Sequence, residues 1–245
     1  MNTESIISKL KDDKAYYGEF GKKFLSFSDI RYLLRDPRTF RQPSEPTLPM
    51  LMGSYLHTKL LEPNRLTEFP LVPSSSRNTN IYKGAVADMG ASMLLLEKEA
   101  EELDFLCGCI TQNFKFCALL YDDANKYEQP GLTTINGKVW KGKADVVCTD
   151  RIIDLKTCAD LDGFEYSAKR YNYDCQAFLY QHIFDLPMQF MVVEKKSGRT
   201  ALCDCTPEFL ASGEEKVLKA LDVYNKFFGE NATEDVTQFF IYKQL

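Results

Sequence analysis

The dipeptide Asn136-Gly137 constrains the fold of this chain more than any other feature of its sequence. Both residues tolerate positive φ, so the pair favours the tight turn of a β-hairpin. On either side the helical period is lost, and Tyr127–Thr133 and Lys138–Cys148 have the pattern of strands. A second tight turn at Thr149-Asp150 precedes a further strand, Arg151–Lys156. The sequence therefore predicts an antiparallel meander in the middle of the chain.

Helical periodicity dominates the chain before this meander and returns after it. Ser28 or Ser26 is a suitable N-cap for a helix that ends at Asp36-Pro37, because a serine hydroxyl can accept from a free backbone N–H of the first turn. Further helices are predicted at Met50–Glu62, Ala85–Leu106, Ser167–Phe184 and from Pro207, capped by Thr206, to about Phe228. Additional strands are predicted at Lys115–Tyr121, Gln189–Glu194 and Thr200–Cys205, and loops at Arg41–Pro49 and Pro70–Asn80, the second exposed and mobile.

This order of elements predicts an α/β or α+β fold, in which a central mixed sheet is flanked by helices. The chain has 245 residues, of which 44% are hydrophobic and 27% charged, as expected of a soluble globular protein. We expect a single domain over residues 1–245, with a mainly helical part at 1–110 and the sheet with its helices at 111–245.

The net charge of −5 argues against a strongly basic nucleic-acid-binding surface. Basic residues can still line a local groove. Lysines fall together at Lys138, Lys141 and Lys143, and further basic groups occur at Lys169/Arg170 and at Lys195/Lys196/Arg199. Each group is compatible with a solvated face or with a nucleic-acid contact.

Neither the N-terminus nor the cysteines indicate export. No apolar run approaches the roughly 20 residues that a membrane span needs, and Met1–Lys14 is too polar for a signal peptide, so we expect a cytoplasmic protein that contacts no membrane. The eight cysteines are then expected as thiols. The C-x-C pairs Cys107/Cys109 and Cys203/Cys205 fit buried or strand-borne thiols, with a metal cluster as the alternative.

Two carboxylates and an ammonium are predicted to meet on the meander. Asp154 and Lys156 alternate with Ile153 and Leu155, so they share the strand face opposite to the apolar pair. Asp145 lies on the preceding strand, across a tight turn. Aspartates suit Mg²⁺, and a neighbouring lysine can orient or deprotonate a water or stabilise developing charge, a combination typical of phosphodiester hydrolysis. The alternative is a solvated Asp–Lys pair on an exposed sheet.

The wider sequence around these residues resembles the PD-(D/E)XK nuclease superfamily. The similarity is to phage recombination exonucleases related to exodeoxyribonuclease VIII and, more distantly, to lambda exonuclease. It rests on FSDIRYLLRDPRTF near the start, GSYLHTKLLEP (Gly53–Pro63), Glu128, KGKADVVCTDRIIDLKT (Lys141–Thr157), YNYDCQAFLY (Tyr171–Tyr180) and FMVVEK (Phe190–Lys195). The resemblance implies a restriction-endonuclease-like core.

The resemblance also implies roles for individual residues. Asp145, Asp154, the Leu155 carbonyl and His57 match metal-binding positions, and Lys156 matches the motif lysine. Glu128 matches a supporting catalytic glutamate, while Gln176 and Tyr180, with Tyr173 close to their helix face, match a Q-x-x-x-Y motif that borders the site and contacts substrate. Ala144 replaces the usual motif proline.

The activity implied by the resemblance is a Mg²⁺-dependent exonuclease, with Mn²⁺ as a substitute. Such an enzyme degrades linear double-stranded DNA from its 5′ ends, leaves 3′ overhangs for a single-strand annealing protein, and assembles as a homo-oligomeric ring. In the iron–sulfur branch of this superfamily, a late cluster of three cysteines helps to hold the iron. No such cluster follows Lys156 here, so no iron–sulfur cluster is expected. Two alternatives remain open, a structure-specific or repair endonuclease of the same fold and a non-catalytic nucleic-acid-binding module.

Overall fold

A six-stranded sheet runs through the molecule, and the predicted meander forms its centre. The computed structural model describes residues 2–242 and 244. The strands are β1 (Leu25–Ser26), β2 (Leu71–Val72), β3 (Leu95–Leu96), β4 (Lys126–Ile135), β5 (Lys138–Val147), β6 (Ile152–Cys158), β7 (Met188–Glu194) and β8 (Thr200–Asp204). The main sheet has the order β1-β5-β6-β7-β8, with β4 paired to β5, and β2 and β3 form a separate parallel pair.

Helices cover both faces of this sheet. They are α1 (Thr3–Leu10), α2 (Asp13–Tyr17), α3 (Phe27–Arg35), α4 (Leu48–Leu61), α5 (Asn80–Met89), α6 (Glu97–Gln112), α7 (Phe114–Leu120), α8 (Phe164–Arg170), α9 (Tyr173–Phe184) and α10 (Pro207–Phe227). One core contains Trp140, Ile152 and Phe190 beneath α3, α9 and α10. The other contains Ile153 and Leu155 beneath α4, α6 and α7. The predicted alternation along β6 is thus confirmed, but both of its faces are buried.

The strand β5 has a gap on the edge opposite to β4. The Asn136-Gly137 turn, with φ of 47° and 78°, joins β4 to β5 as predicted. On the other edge, β1 pairs with Trp140 and Lys141, while β6 pairs with Val146 and Val147. Within the described residues, 142–145 therefore have no strand neighbour on that edge. We call this gap the fork, and its free backbone and side-chain groups need other partners.

Three predicted elements differ from the structure. The predicted strand Lys115–Tyr121 is instead helical as far as Leu120, in α7. The Asn113 side chain accepts from the N–H groups of Lys115 and Phe116 and starts this helix. Ala85–Leu106 is not one helix. Gly90, at φ 59°, ends α5 in the left-handed conformation, and β3 intervenes before α6.

The third difference is Ser167–Phe184, which is two helices rather than one. Asn172 adopts φ 60° and separates α8 from α9. Asparagine tolerates this conformation, which a continuous helix does not contain. After the break, α9 packs against β4 and β5.

Most other boundaries agree with the sequence. The α4 helix ends before Pro63, and Thr206 caps α10 by accepting from the Phe209 N–H, with Pro207 as the first helical residue. The segment 70–80 is more structured than predicted, since it contains β2, and Arg77 forms an ion pair with Glu99 at 2.6 Å. In the described part of the chain, no single helix has the length and apolarity to cross a membrane. Only α6 and α7 together pass that test by length and composition, with a 94° bend between them.

Candidate active site

Three metal-ligand side chains converge at the fork. His57 comes from α4, Glu128 from β4 and Asp145 from β5, and one ligand atom of each lies within 4.8 Å of the other two. The β4–β5 register explains the meeting of the two carboxyl groups, because the pairs Tyr127–Val146 and Gln129–Ala144 place Glu128 opposite Asp145. We call these three residues the acid–histidine cluster.

Asp145 and His57 attach this cluster to the neighbouring strand β6. An oxygen of Asp145 accepts a 2.7 Å hydrogen bond from the Leu155 N–H, which spans the gap between the two strands. His57 Nε2 lies 3.1 Å from the Leu155 carbonyl oxygen, and its Nδ1 lies 3.4 Å from Asp145. The structure therefore brings Asp145, His57 and the Leu155 carbonyl together, as the sequence resemblance implied.

Asp154 and Lys156 form a buried ion pair next to the cluster. Asp154 is only 1% exposed, so the alternative of a solvated Asp–Lys pair is wrong. The Gln176 side chain of α9 donates to Asp154 Oδ1. Lys156 also lies over the Tyr173 ring, with Nζ 4.8 Å from its centroid. Asp154 lies outside the set of ligand atoms within 4.8 Å of one another.

The carboxyl groups influence one another through burial and charge. Burial and, to a smaller extent, the nearby Asp145 carboxylate together raise the pKa of Glu128 to about 7. Burial likewise raises the pKa of Asp154 to about 6, although the Lys156 ammonium opposes the increase. Burial alone would lower the pKa of His57, but Asp145 outweighs it and raises the value to about 9. The site therefore combines closely spaced carboxyl groups with two cationic partners, His57 and Lys156.

Glu128 also carries backbone strain. It adopts φ 48° within β4, although it is not glycine. Such a conformation costs on the order of 1–3 kcal/mol and persists where surrounding structure enforces it. Within the described residues, no β4–β5 pair is formed between Glu128 and Asp145, while the rungs on both sides are intact. The strain therefore falls on the residue whose side chain joins the acid–histidine cluster.

Tyr180 of α9 satisfies the free backbone of the fork. Its hydroxyl donates to the Lys143 carbonyl at 3.0 Å and lies 3.3 Å from the Lys143 N–H, which donates to it. The residue at position 142 must be small, because a Cβ on Gly142 would lie 2.7 Å from the Tyr180 ring. Tyr180 and Gln176 are 7% and 5% exposed, and their polar groups hold the strands of the site. Their predicted contact with substrate stays a prediction.

A cleft of about 630 Å³ opens beside the acid–histidine cluster. Tyr180 and residues of α2, α4 and β5 line it, whereas Asp154 and Lys156 lie outside its wall. Lys141, at 6% exposure, and Lys143, whose side chain is 7% exposed, point into this part of the molecule. The solvated-face alternative for these two lysines is therefore wrong.

Sequence reasoning missed Asp13 and Arg65, which also line the cleft. Neither lies in a motif, and both come from helical turns far from β5 in the sequence. In the sequence, only the grouping of Lys141 and Lys143 indicated that charged residues meet along this cleft.

The residues around the cluster fit a divalent cation. Carboxylate and carbonyl oxygens with one imidazole suit Mg²⁺ or Mn²⁺. Asp154 Oδ2 is buried and pairs with the Lys156 ammonium, so a further carboxylate lies next to the cluster. Asp145 adds to the effect of burial in raising the pKa of both Glu128 and Asp154, and a cation at this point would relieve that repulsion.

The cysteines take no part in this site. All eight are free thiols. Cys107 and Cys109 lie in α6, while Cys203 lies in β8 and Cys205 directly after it.

Comparisons with known proteins agree with this architecture. A solved structure from Eubacterium rectale, provisionally described as that of an exonuclease, superposes with a TM-score of 0.66 at 16% identity, covering 96% of this chain and 95% of the other. That similarity confirms the mixed sheet flanked by helices. A second structure, of SSO0001, has 16% identity over 88% of this chain and 85% of its own, but its TM-score of 0.35 supports no argument.

A search of curated proteins finds no match. Residues 22–234 match the model of a PDDEXK-like domain of unknown function (DUF3799). This match includes every residue of the acid–histidine cluster and the Asp154–Lys156 pair. The chain therefore belongs to the PDDEXK-like DUF3799 family, within the PD-(D/E)XK nuclease superfamily.

Proposed function

We propose that this protein is a metal-dependent exonuclease that hydrolyses phosphodiester bonds of linear double-stranded DNA from the 5′ end and leaves 3′ overhangs. The acid–histidine cluster beside the buried Asp154–Lys156 pair is the observation that supports hydrolysis. The choice of double-stranded DNA, the polarity and a role in recombination rest on the sequence resemblance. An annealing protein and a ring of identical subunits are predicted partners on the same basis.

Each residue has a distinct task in this proposal. Asp145, Glu128 and His57, with the Leu155 carbonyl and Asp154, would hold Mg²⁺ or Mn²⁺. When bound, the cation polarises a phosphoryl oxygen and lowers the pKa of a water. Gln176 fixes Asp154 by donating to it, and the Leu155 N–H fixes Asp145 by donating to it across the fork.

Lys156 acts as an ammonium in this arrangement. Burial would lower its pKa, but Asp154 and Asp145 outweigh burial and raise it. As an ammonium it can donate hydrogen bonds to a phosphate oxygen on which negative charge develops, and we assign it to charge stabilisation.

Hydrolysis of end-labelled DNA tests the proposal. With Mg²⁺, wild-type protein is expected to shorten a linear duplex from its 5′ labels and to leave a covalently closed circle intact. Lys156→Ala should slow the reaction by roughly 10²- to 10³-fold, because one charge-stabilising donor is lost. Lys138→Ala is a matched control, since Lys138 lies over the Tyr224 ring and does not line the cleft.

The possible outcomes separate the functions that the sequence left open. Nicking of the circle would indicate an endonuclease. An intact linear duplex with wild-type protein, together with no detectable Mg²⁺ or Mn²⁺ binding by calorimetry, would indicate a non-catalytic module.

A further inference from the structure

One short segment, α2 at Asp13–Tyr17, contacts the three lysine and arginine side chains that line the cleft among the described residues. Lys143 Nζ forms an ion pair with Asp13 Oδ1. Arg65 Nη2 lies 2.9 Å from Asp13 Oδ2. Lys141 Nζ donates to the Tyr16 carbonyl oxygen and lies 4.0 Å from the centre of the Tyr16 ring. The positive charge of this wall is therefore satisfied from within the chain.

Lys143 is placed next to the acid–histidine cluster. It precedes Asp145 by two residues on β5, and both side chains line the cleft. Its own side chain is 7% exposed, and its ammonium lies 4.6 Å from the centre of the Tyr16 ring. A buried ammonium needs an anionic partner, because desolvation without one is costly. Asp13 is that partner in this structure.

Arg65 supplies a planar donor group to the same carboxylate. Its guanidinium is also bound by Glu62 at 2.9 Å and by Glu68 at 2.8 Å, which fix its orientation in the cleft wall. An arginine and a lysine that converge on two oxygens of one anion form a typical phosphate-binding pair. Asp13 presents its two carboxylate oxygens as a phosphate group would present two of its own.

The family match covers the two cationic residues but not Asp13. It begins at residue 22, so Lys143 and Arg65 lie within the part of the chain that matches the family model, whereas Asp13 lies before it. The segment itself is well anchored, because Leu10, Tyr16 and Phe24 form their own apolar cluster against Leu132. Movement of the Asp13 side chain alone would remove the carboxylate shared by Lys143 and Arg65. Arg65 would keep its orientation through Glu62 and Glu68, and α2 could stay in place.

We propose that Lys143 and Arg65 form a phosphate-binding subsite for a nucleic-acid strand, and that Asp13 is an intramolecular anion that competes with the substrate for it. This inference rests on the proposed function, because the cleft must receive a nucleic acid. Asp13 is charged at neutral pH. Burial alone would raise its pKa, but Lys143 and Arg65 outweigh burial and lower it.

Binding measured without metal tests the subsite apart from catalysis. Fluorescence anisotropy of a labelled short DNA duplex in EDTA compares wild type with Asp13→Asn. We expect the variant to bind about tenfold more tightly at low salt, because two charge-assisted contacts become free for phosphate. The advantage should shrink as salt is raised.

Asp150→Asn is the matched control. It makes the same change in net charge and frees an arginine, Arg151, that does not line the cleft. It should strengthen binding by less than twofold. Equal affinities of the Asp13 and Asp150 variants would overturn the proposal, since a general charge effect would then explain both.

Two further variants guard against an indirect effect on folding. Asp13→Glu keeps the competing charge and should bind as wild type does, with an unchanged unfolding temperature. Arg65→Gln should weaken binding and should remove most of the gain when combined with Asp13→Asn. A full gain in that double variant would exclude Arg65 from the subsite and contradict the proposal.

Hydrolysis with Mg²⁺ is recorded in parallel. If Asp13→Asn binds more tightly and neither it nor wild type hydrolyses DNA, the subsite is supported and the proposed nuclease is rejected. Hydrolysis by wild type with no change in binding for Asp13→Asn would do the opposite.

Discussion

At the scale of single residues, Glu128 shows a conflict between local preference and the site. A glutamate at φ 48° in a strand is unfavourable, and its carboxyl group lies close to that of Asp145. Both effects cost folding free energy. Packing alone does not require either the positive φ or the close approach of the two carboxyl groups. The combination instead agrees with a role in holding a cation.

Glu128→Gly is predicted to stabilise the protein while it impairs hydrolysis. Glycine adopts positive φ without strain, and the repulsion with Asp145 disappears. The free energy of unfolding should rise by about 1 kcal/mol, which corresponds to roughly 2–4 °C in the unfolding temperature. Thermal unfolding and DNA hydrolysis should be measured on the same preparation.

Gln129→Gly is the control for this change. Gln129 is the next residue of β4 and is absent from the positive-φ residues among those described, so glycine there should destabilise by roughly 0.5–1 kcal/mol. If both variants lose the same stability, the strain at Glu128 is not significant.

At the scale of elements, the fork depends on α9. The sheet leaves residues 142–145 without a strand on one edge, and α9 fills that gap with the Tyr180 hydroxyl and holds Asp154 with Gln176. A side chain of this helix thus makes the hydrogen bonds that a neighbouring strand would otherwise make with β5. The break at Asn172 matters for this reason, because it separates the direction of α9 from that of α8.

Tyr180→Phe is predicted to destabilise the fold by roughly 1–3 kcal/mol. The ring would stay in place, but the buried Lys143 N–H and C=O would lose a partner. Urea unfolding measures this loss. Tyr171→Phe is the control, because Tyr171 is 58% exposed and should give a change within about 0.5 kcal/mol. Equal stabilities of the two variants would show that the Tyr180 hydroxyl does not support the fork.

At the scale of the whole molecule, a protein of net charge −5 concentrates several of its carboxyl groups in one place. Folding holds Glu128, Asp145 and Asp154 close together, although each would be farther from the others in the unfolded chain. A cation bound there would favour the folded state, because the unfolded chain has no such cluster.

Mg²⁺ or Mn²⁺ is therefore predicted to raise the unfolding temperature. At about 100 times its dissociation constant, a ligand of the folded state adds roughly 2.7 kcal/mol, or about 5–10 °C for a chain of this size. Differential scanning fluorimetry with the metal and with EDTA measures the effect. Asp145→Asn should abolish it, whereas Asp150→Asn, on the surface turn, should keep it. An equal increase in both variants would place the metal elsewhere.

The sequence by itself determined the features that depend on neighbouring residues. Asn136-Gly137 fixed the hairpin because both residues adopt positive φ, and Thr206-Pro207 fixed the start of α10. The alternation of Ile153, Asp154, Leu155 and Lys156 placed the charged pair on one strand face. Such patterns act within a few residues, so they can be read without the fold.

The tertiary structure alone decided which distant residues meet. His57 lies 98 residues before the Leu155 carbonyl that it contacts, and Asp13 lies 130 residues before Lys143. Nothing near Asp13 in the sequence indicates that contact. The strand predicted at Lys115–Tyr121 failed for a related reason, because the Asn113 cap outweighed the apparent strand pattern. The packing of helices on both faces of the sheet sets these distances, and no local sequence pattern specifies that packing.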